Sequence, residues 1–448
     1  MSETLQQLSE KLLDMAKAAG ADAADAMAVR GTSLSIDVRG GALENAERSE
    51  ATDLGLRVML GQKQANISTS DVREETLRTM AERAVAMAAE APDDPYIGLA
   101  DPVDIATDWD ISAFELCDPS GEPAPDALQR DATEAEAAAL AYEGISQVQS
   151  VSAGYGRTDV HLAASNGFSG GHARSDRAIS CVAIAGTGAD MERDYDYDSR
   201  IFQSDLTDPR TIGASAAERA LSRQNPKRPP TGAYPVIFDE RISGSLVGHL
   251  MRAINGAAIA RGSSWLLNDL GAEILPKALS LIEDPRRART ARSRPFDAEG
   301  LPTRQRTIID NGVLTGWTLD LANARKLGMT STASAARGVS GPPSPTSWNL
   351  ALTQGTQSRD EMIREMGTGL LVTSMIGSTI NPNTGDYSRG ATGFWVENGE
   401  IAYPVNECTI AGNLKDMMKT ITPANDARQH LSSVVPSLRV EGLTLAGN

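Results

Sequence analysis

Cysteine is scarce: Cys117, Cys181 and Cys408 are the only three in 448 residues, and no CxxC pair occurs among them. That scarcity excludes a disulfide framework or a zinc ribbon and fits a reduced, intracellular chain whose thiols pack rather than react. Positive charge is also in short supply. Forty-two lysines and arginines face 59 aspartates and glutamates, for a net charge of −17, and such a surface repels a phosphate backbone, so nucleic acid is excluded as a general partner. Long apolar runs are missing as well. No window approaches the roughly 18 apolar residues that a membrane helix needs. The opening MSETLQQLSEKLLDMAKAAG has no basic leader and no unbroken apolar stretch, so the sequence predicts no membrane, no export and a cytoplasmic location.

What is present divides in two. The length calls for two packed units, and SRQNPKRPPTG at 222–232 interrupts all periodicity with three prolines and three basic residues. The predicted domains are therefore 1–225 and 233–448, joined by a linker at 226–232. The predicted fold class is α+β: two domains with antiparallel or mixed sheets and flanking helices, the C-terminal one rich in hairpins. Leu5, Leu8, Leu12, Met15 and Ala19 mark an opening amphipathic helix, and SLSIDVR, DLGLRVML and QANIST alternate as half-buried strands. Asp71 with Glu74 predicts a helix cap, and DALQRDATEAEAAALAYEG predicts another helix. Asn166-Gly167, Asn311-Gly312 and Asn398-Gly399 each predict a two-residue hairpin turn, and Asn413 with Asp416 a late helix cap. A two-residue turn at 166–167 sets His161 opposite His172.

Several constellations invite chemistry. SGSLVGHLMRAINGAAIARGSSWL at 243–266 reads as a helix with Ile242, Leu246, Leu250 and Ile254 as its apolar stripe and His249 at the stripe's edge. A zinc-peptidase helix needs two histidines one turn apart and a glutamate to deprotonate the bound water. This segment has one histidine and no acid after Glu240, so His249 is predicted to pack rather than to bind metal. His161 and His172 form an incomplete metal site on any reading. Gly167-Phe168-Ser169-Gly170-Gly171 fits G-x-S-x-G, but RAISCVAIAG after it reads as a strand where the nucleophile elbow requires a helix. Gly385 to Gly390 is glycine-rich yet lacks the GK[ST] ending that grips phosphate. Arg286, Arg287, Arg289, Arg292 and Arg294 form the one concentrated basic run, predicted to be a solvated loop with capture of an acidic partner as the alternative.

Several stretches together resemble the TldD/PmbA family, in its PmbA (TldE) branch: GADMERDYDYDSR at 188–200, RGSSWLLNDLGAEILP at 261–276, PFDAEGLPTRQRTIIDNG at 295–312, ARKLGMTSTA at 324–333 and MGTGLLVTSMIGSTINPNTGDYSRGATGFWVENGEIAYPVNECTIAGNLKDM at 366–417. The resemblance implies a subunit of a heteromeric zinc peptidase that trims peptide precursors or degrades unfolded polypeptides. The zinc would lie in a TldD-like partner carrying an HExxxH helix and a later cysteine ligand. Here Val247 to Arg252 fall where HExxxH would stand, and no cysteine follows Cys408. The expectation is a non-catalytic chain that binds no cofactor itself, meets its TldD-like partner and peptide substrates, and forms a homodimer when alone. The candidate chamber residues are His249, Arg261, Ser263, Ser264, Asn381, Asp386 and Arg389. Two other readings remain open at this point: a non-enzymatic regulatory protein that docks on a gyrase-related or antitoxin partner, and an independent peptidase.

Overall fold

The computed structural model describes residues 3–447. The chain opens with helix α1 (Leu5–Ala18), whose Thr4 caps the Gln7 amide while the Gln7 side chain returns the bond. Strands β1 (Ala23–Arg39), β2 (Ala42–Leu60) and β3 (Lys63–Thr69) follow, then helices α2 (Glu74–Glu90) and α3 (Pro125–Leu140). Strands β4 (Ile145–Ala164), β5 (Ser169–Ala185) and β6 (Glu192–Arg200) and helix α4 (Pro209–Ser222) complete the first unit. The six strands form one antiparallel sheet in the order β3-β2-β1-β4-β5-β6. Along β1 the even-numbered Ala24, Ala26, Ala28, Leu34, Ile36 and Val38 all point to the helical face. There α1 and α2 cover one end, and α3 and α4 cover the other. The opposite face, with Met27 and Leu162, meets Phe296 of the second unit.

The second unit begins with β7 (Gly232–Phe238) and continues through α5 (Glu240–Ala253) and α6 (Gly256–Ala260). Its main sheet runs Glu400–Asn413, Asp386–Glu397, Gly369–Ile380, β7, Leu438–Ala446 and Thr422–Pro423, with β7 and Gly369–Ile380 parallel. Because Glu400–Asn413 also pairs with Leu438–Ala446, five of these strands close into a barrel, which removes exposed edges. A smaller sheet of short strands lies beside it, and Leu246, Leu250 and Ile254 bury against both. The α+β class and the hairpin-rich second half are thus as the patterning implied. Asn311, Gly312, Asn398 and Gly399 all take positive φ, as their turns require. No helix among the described residues is long and apolar enough to cross a membrane.

Four local expectations are corrected. At 166–167 only Gly167 has positive φ, +99°, and Ala164 and Phe168 close a three-residue loop. The register slips by one, so His161 faces Gly171 and His172 faces Val160, on opposite sides of the sheet. Helix α2 starts one residue after Arg73, and the Asp71 carboxylate instead accepts from the Arg73 amide and the Thr76 hydroxyl. The helix expected over 243–266 breaks at Ile254, where Asn255 caps a separate turn and Gly256 seats against Thr318 and Leu319. The arginine run is only in part a solvated loop: Arg286 and Arg292 are exposed, but Arg287 donates to the Leu431 carbonyl, Arg289 grips Glu115 and Asp205, and Arg294 lies 3.8 Å over the Trp348 ring. These contacts tie the run to residues distant in sequence, on half-exposed carboxylates, a carbonyl and an aromatic ring.

Candidate functional site

Helix α5 carries the site. Its first turn is fixed by charge: Asp239 accepts from the Arg241 amide and pairs with Arg359 at 2.8 Å, and Glu240 pairs with Arg428 at 2.8 Å. Arg241 reaches back to Asp194 of β6 at 3.1 Å, so the 188–200 segment anchors α5 from the other domain. One side of α5 buries Leu246 and Leu250, and the other lines a cleft with Gly244, Ser245, Gly248, His249 and Arg252. A Cβ on Gly244 or Gly248 would meet only open space. Packing therefore does not demand these two glycines, although each costs the helix about 1 kcal/mol.

The cleft is continuous around His249. A recess of about 620 Å³ on one side and one of about 490 Å³ on the other share His249, Arg252, Asn255 and Ser378. The first also takes in Arg292 and Arg389, and the second Arg261, Ser263 and Trp265. No carboxylate or thiol lines either recess. In a strongly acidic chain this is a cationic channel, suited to the carboxylates of a ligand. The His249 ring stands edge-on to Tyr387 at 5.9 Å, and its Nε2 is buried with no hydrogen-bond partner among the described residues. Burial, helped by Arg252 and Arg389, drops the His249 pKa to about 4, which leaves a neutral imidazole at neutral pH. Burial also raises the Tyr387 hydroxyl to about 12, and Arg389 donates to the Gly377 carbonyl at 2.7 Å.

These residues do not fit a zinc ion. Across the Val247–Arg252 window the first and last positions are Val247 and Arg252 and the second is Gly248, where two imidazoles and a glutamate would be needed. Among the described residues no three His, Cys, Asp or Glu side chains are grouped closely enough to hold a metal ion. Cys408 is buried and donates to the Ala391 carbonyl.

Of the residues singled out in the sequence, His249, Arg261, Ser263 and Arg389 line the cleft. Ser264 does not: it is buried, donating to the Ala253 carbonyl at 2.6 Å and accepting from the Leu266 amide. Asn381 closes a turn onto the amides of Asn383 and Thr384, and Asp386 ties that turn to Thr384 and Asn413. Both stabilise the rim without facing the cleft. Sequence reasoning missed Arg252, Asn255 and Ser378. Arg252 was findable, since it lies three residues from His249 on one helical face; Ser378 arrives from a distant hairpin with no local signal.

Family models match three regions: PmbA/TldA metallopeptidase domain 1 at residues 24–88, the central domain at 118–224 and the C-terminal domain at 231–447. The first two contribute strands to the same six-stranded sheet. The chain is 38% identical to metalloprotease PmbA of Escherichia coli O157:H7, over 95% of this chain and 92% of that one. It is 37% identical to a metalloprotease PmbA homologue of Haemophilus influenzae, over 100% and 97%. Among solved structures, a Bacteroides thetaiotaomicron protein named for modulation of DNA gyrase superposes with a TM-score of 0.91 at 29% identity, covering 99% of both chains. TldE from Thermococcus kodakarensis shares the fold with a TM-score of 0.86 at 21% identity, covering 98% and 99%.

Proposed function

Since the chain belongs to the PmbA/TldA metallopeptidase family, we propose that it acts in the cytoplasm as the non-catalytic, TldE-type subunit of a zinc peptidase whose metal sits in a TldD-like partner. The observation that carries this reading is the Val247–Arg252 window. It faces the cleft with one neutral imidazole and the bare Gly248, one turn after the equally bare Gly244, and no carboxylate or thiol lines that cleft. Without a ligand set, no bound water is acidified and no hydroxide forms at neutral pH. What the chain contributes is a wall. The bare stripe of Gly244 and Gly248 leaves room for an extended peptide, and Arg252, Arg261 and Arg389 meet its carboxylates. In the absence of the partner, the same surface closes on a second copy as a homodimer.

Co-expression with an HExxxH-bearing homologue tests this. A stable heteromeric complex is expected, with zinc in the partner and peptide cleavage only when both chains are present. Stoichiometric zinc together with proteolysis in a pure single-chain preparation overturns the reading. A regulatory protein acting without any protease draws support from the gyrase-modulator name of the Bacteroides thetaiotaomicron structure; failure to associate with the homologue would favour it.

A further inference from the structure

A second cavity, of about 190 Å³, lies between the two units, away from the His249 cleft. One wall is the helix-free face of the first sheet, with Met27, Val160 and Leu162; Phe296 adds an aromatic edge from the other side. Arg174, Arg294 and Arg337 add three cations to the lining. Arg337 has a fully buried side chain, and its Nη1 pairs with Asp25, but Asp25 must also serve Arg57, so one carboxylate faces two guanidinium groups. Arg294 stacks on Trp348 and has no carboxylate partner among the described residues, and Arg174 donates to the Ala291 carbonyl. The one acid in the lining, Asp297, has both oxygens occupied by the amides of Glu299, Leu301 and Ala335. Three buried nitrogens are left with no partner among the described residues: Arg337 Nη2, Arg294 Nε and His172 Nδ1. Buried donors are seldom left unmade, because each costs about 1–3 kcal/mol.

We propose that this cavity binds a small organic carboxylate, with its oxygens on Arg294 and Arg337 and a short apolar tail against Met27, Val160, Leu162 and Phe296. The unpaired guanidinium edges supply the charge-assisted bonds, and the apolar wall rejects a bare inorganic anion. Because its walls come from both units, an occupant also braces the domain interface.

Calorimetric titration of the full chain tests the assignment, with isovalerate, isovaleramide and inorganic phosphate as probes. Saturable one-to-one binding of isovalerate is expected, with the amide and phosphate each weaker by roughly tenfold or more. Arg294→Met keeps the stem over Trp348 while removing the charge, and should weaken isovalerate by a similar factor. Val160→Phe fills the apolar side and should abolish binding, and it carries the test if the arginine variant does not fold. No isovalerate binding, equal binding of the amide or phosphate, or affinity untouched by either folded variant overturns the proposal.

Discussion

His161 and His172 stand on opposite faces of one hairpin. His161 lies under α1, with its Nδ1 2.7 Å from the Ser9 hydroxyl, and His172 lies edge-on to Phe296 at the domain interface, 5.8 Å away. A joint metal site is ruled out by that geometry, and each imidazole takes a separate structural task. The Ser9–His161 bond joins α1 to the middle of the sheet, and both residues are buried. Ser9→Ala leaves a buried ring nitrogen unpartnered and should cost about 1–3 kcal/mol in urea unfolding. An unchanged midpoint would mean that water replaces the hydroxyl without penalty.

Why the register slipped shows what the sequence could carry. Asn311-Gly312 and Asn398-Gly399 were legible because both turn residues occupy positive φ, and their tertiary contacts, Asn311 and Gly312 amides to Ser280 and Leu279 and the Gly399 amide to the Gly367 carbonyl, fit the two-residue turn. At Asn166 the side chain instead donates to the Ala100 carbonyl and accepts from the Phe168 amide, and one added loop residue turned every side chain of β5 over. The barrel closure between Glu400–Asn413 and Leu438–Ala446 left no periodic trace. In the cleft, His249 and Arg252 were readable from helical spacing. Arg292 and Ser378 were not, because one reaches the cleft from a loop and the other from a distant strand hairpin, whose courses depend on the finished fold. The arginine run misled for a related reason: its partners Glu115, Asp205 and Leu431 lie far away in sequence.

Helices α3 and α4 cross closely because small residues line both, Ala132, Ala135 and Ala139 against Ala216, Ala217 and Ala220. A Cβ on Gly213 would collide with the Ala135 carbonyl. Gly213→Ala should therefore destabilise by about 1–3 kcal/mol through overpacking, despite the better helix propensity of alanine. Thermal denaturation measures it, and a raised melting temperature would show that the helices separate freely.

Asp194 links the domains. It lies 3.1 Å from Arg241 and 3.0 Å from Arg223, and although burial opposes its charge, the two arginines hold its pKa below the usual carboxylate value. Asp194→Ala leaves Arg241 nearly buried without this partner, a loss of about 3–5 kcal/mol for a broken buried pair. The start of α5 should then exchange its amides faster while the β1–β6 core keeps its protection. Uniform loss of protection across both units would show that Asp194 supports the whole fold rather than the junction.

His249 gives a pH signature with a definite sign. Its pKa is about 4 in the folded chain against an ordinary 6.5, so between those values the unfolded chain binds more protons and stability rises with pH. The contribution is fully present above 6.5, falls away as the pH drops toward 4 and is constant below that. His172, also lowered to about 4, acts in the same direction, and Asp297, raised to about 6, acts in the reverse one. The total curve therefore mixes them. Subtracting the curve of His249→Phe, which preserves the edge contact with Tyr387, isolates one imidazole. Relative to that variant, the natural chain should lose up to about 3 kcal/mol on going from pH 7 to pH 4. Parallel curves would mean that the ring protonates freely in the folded state and that the cleft around it is wet rather than desolvating.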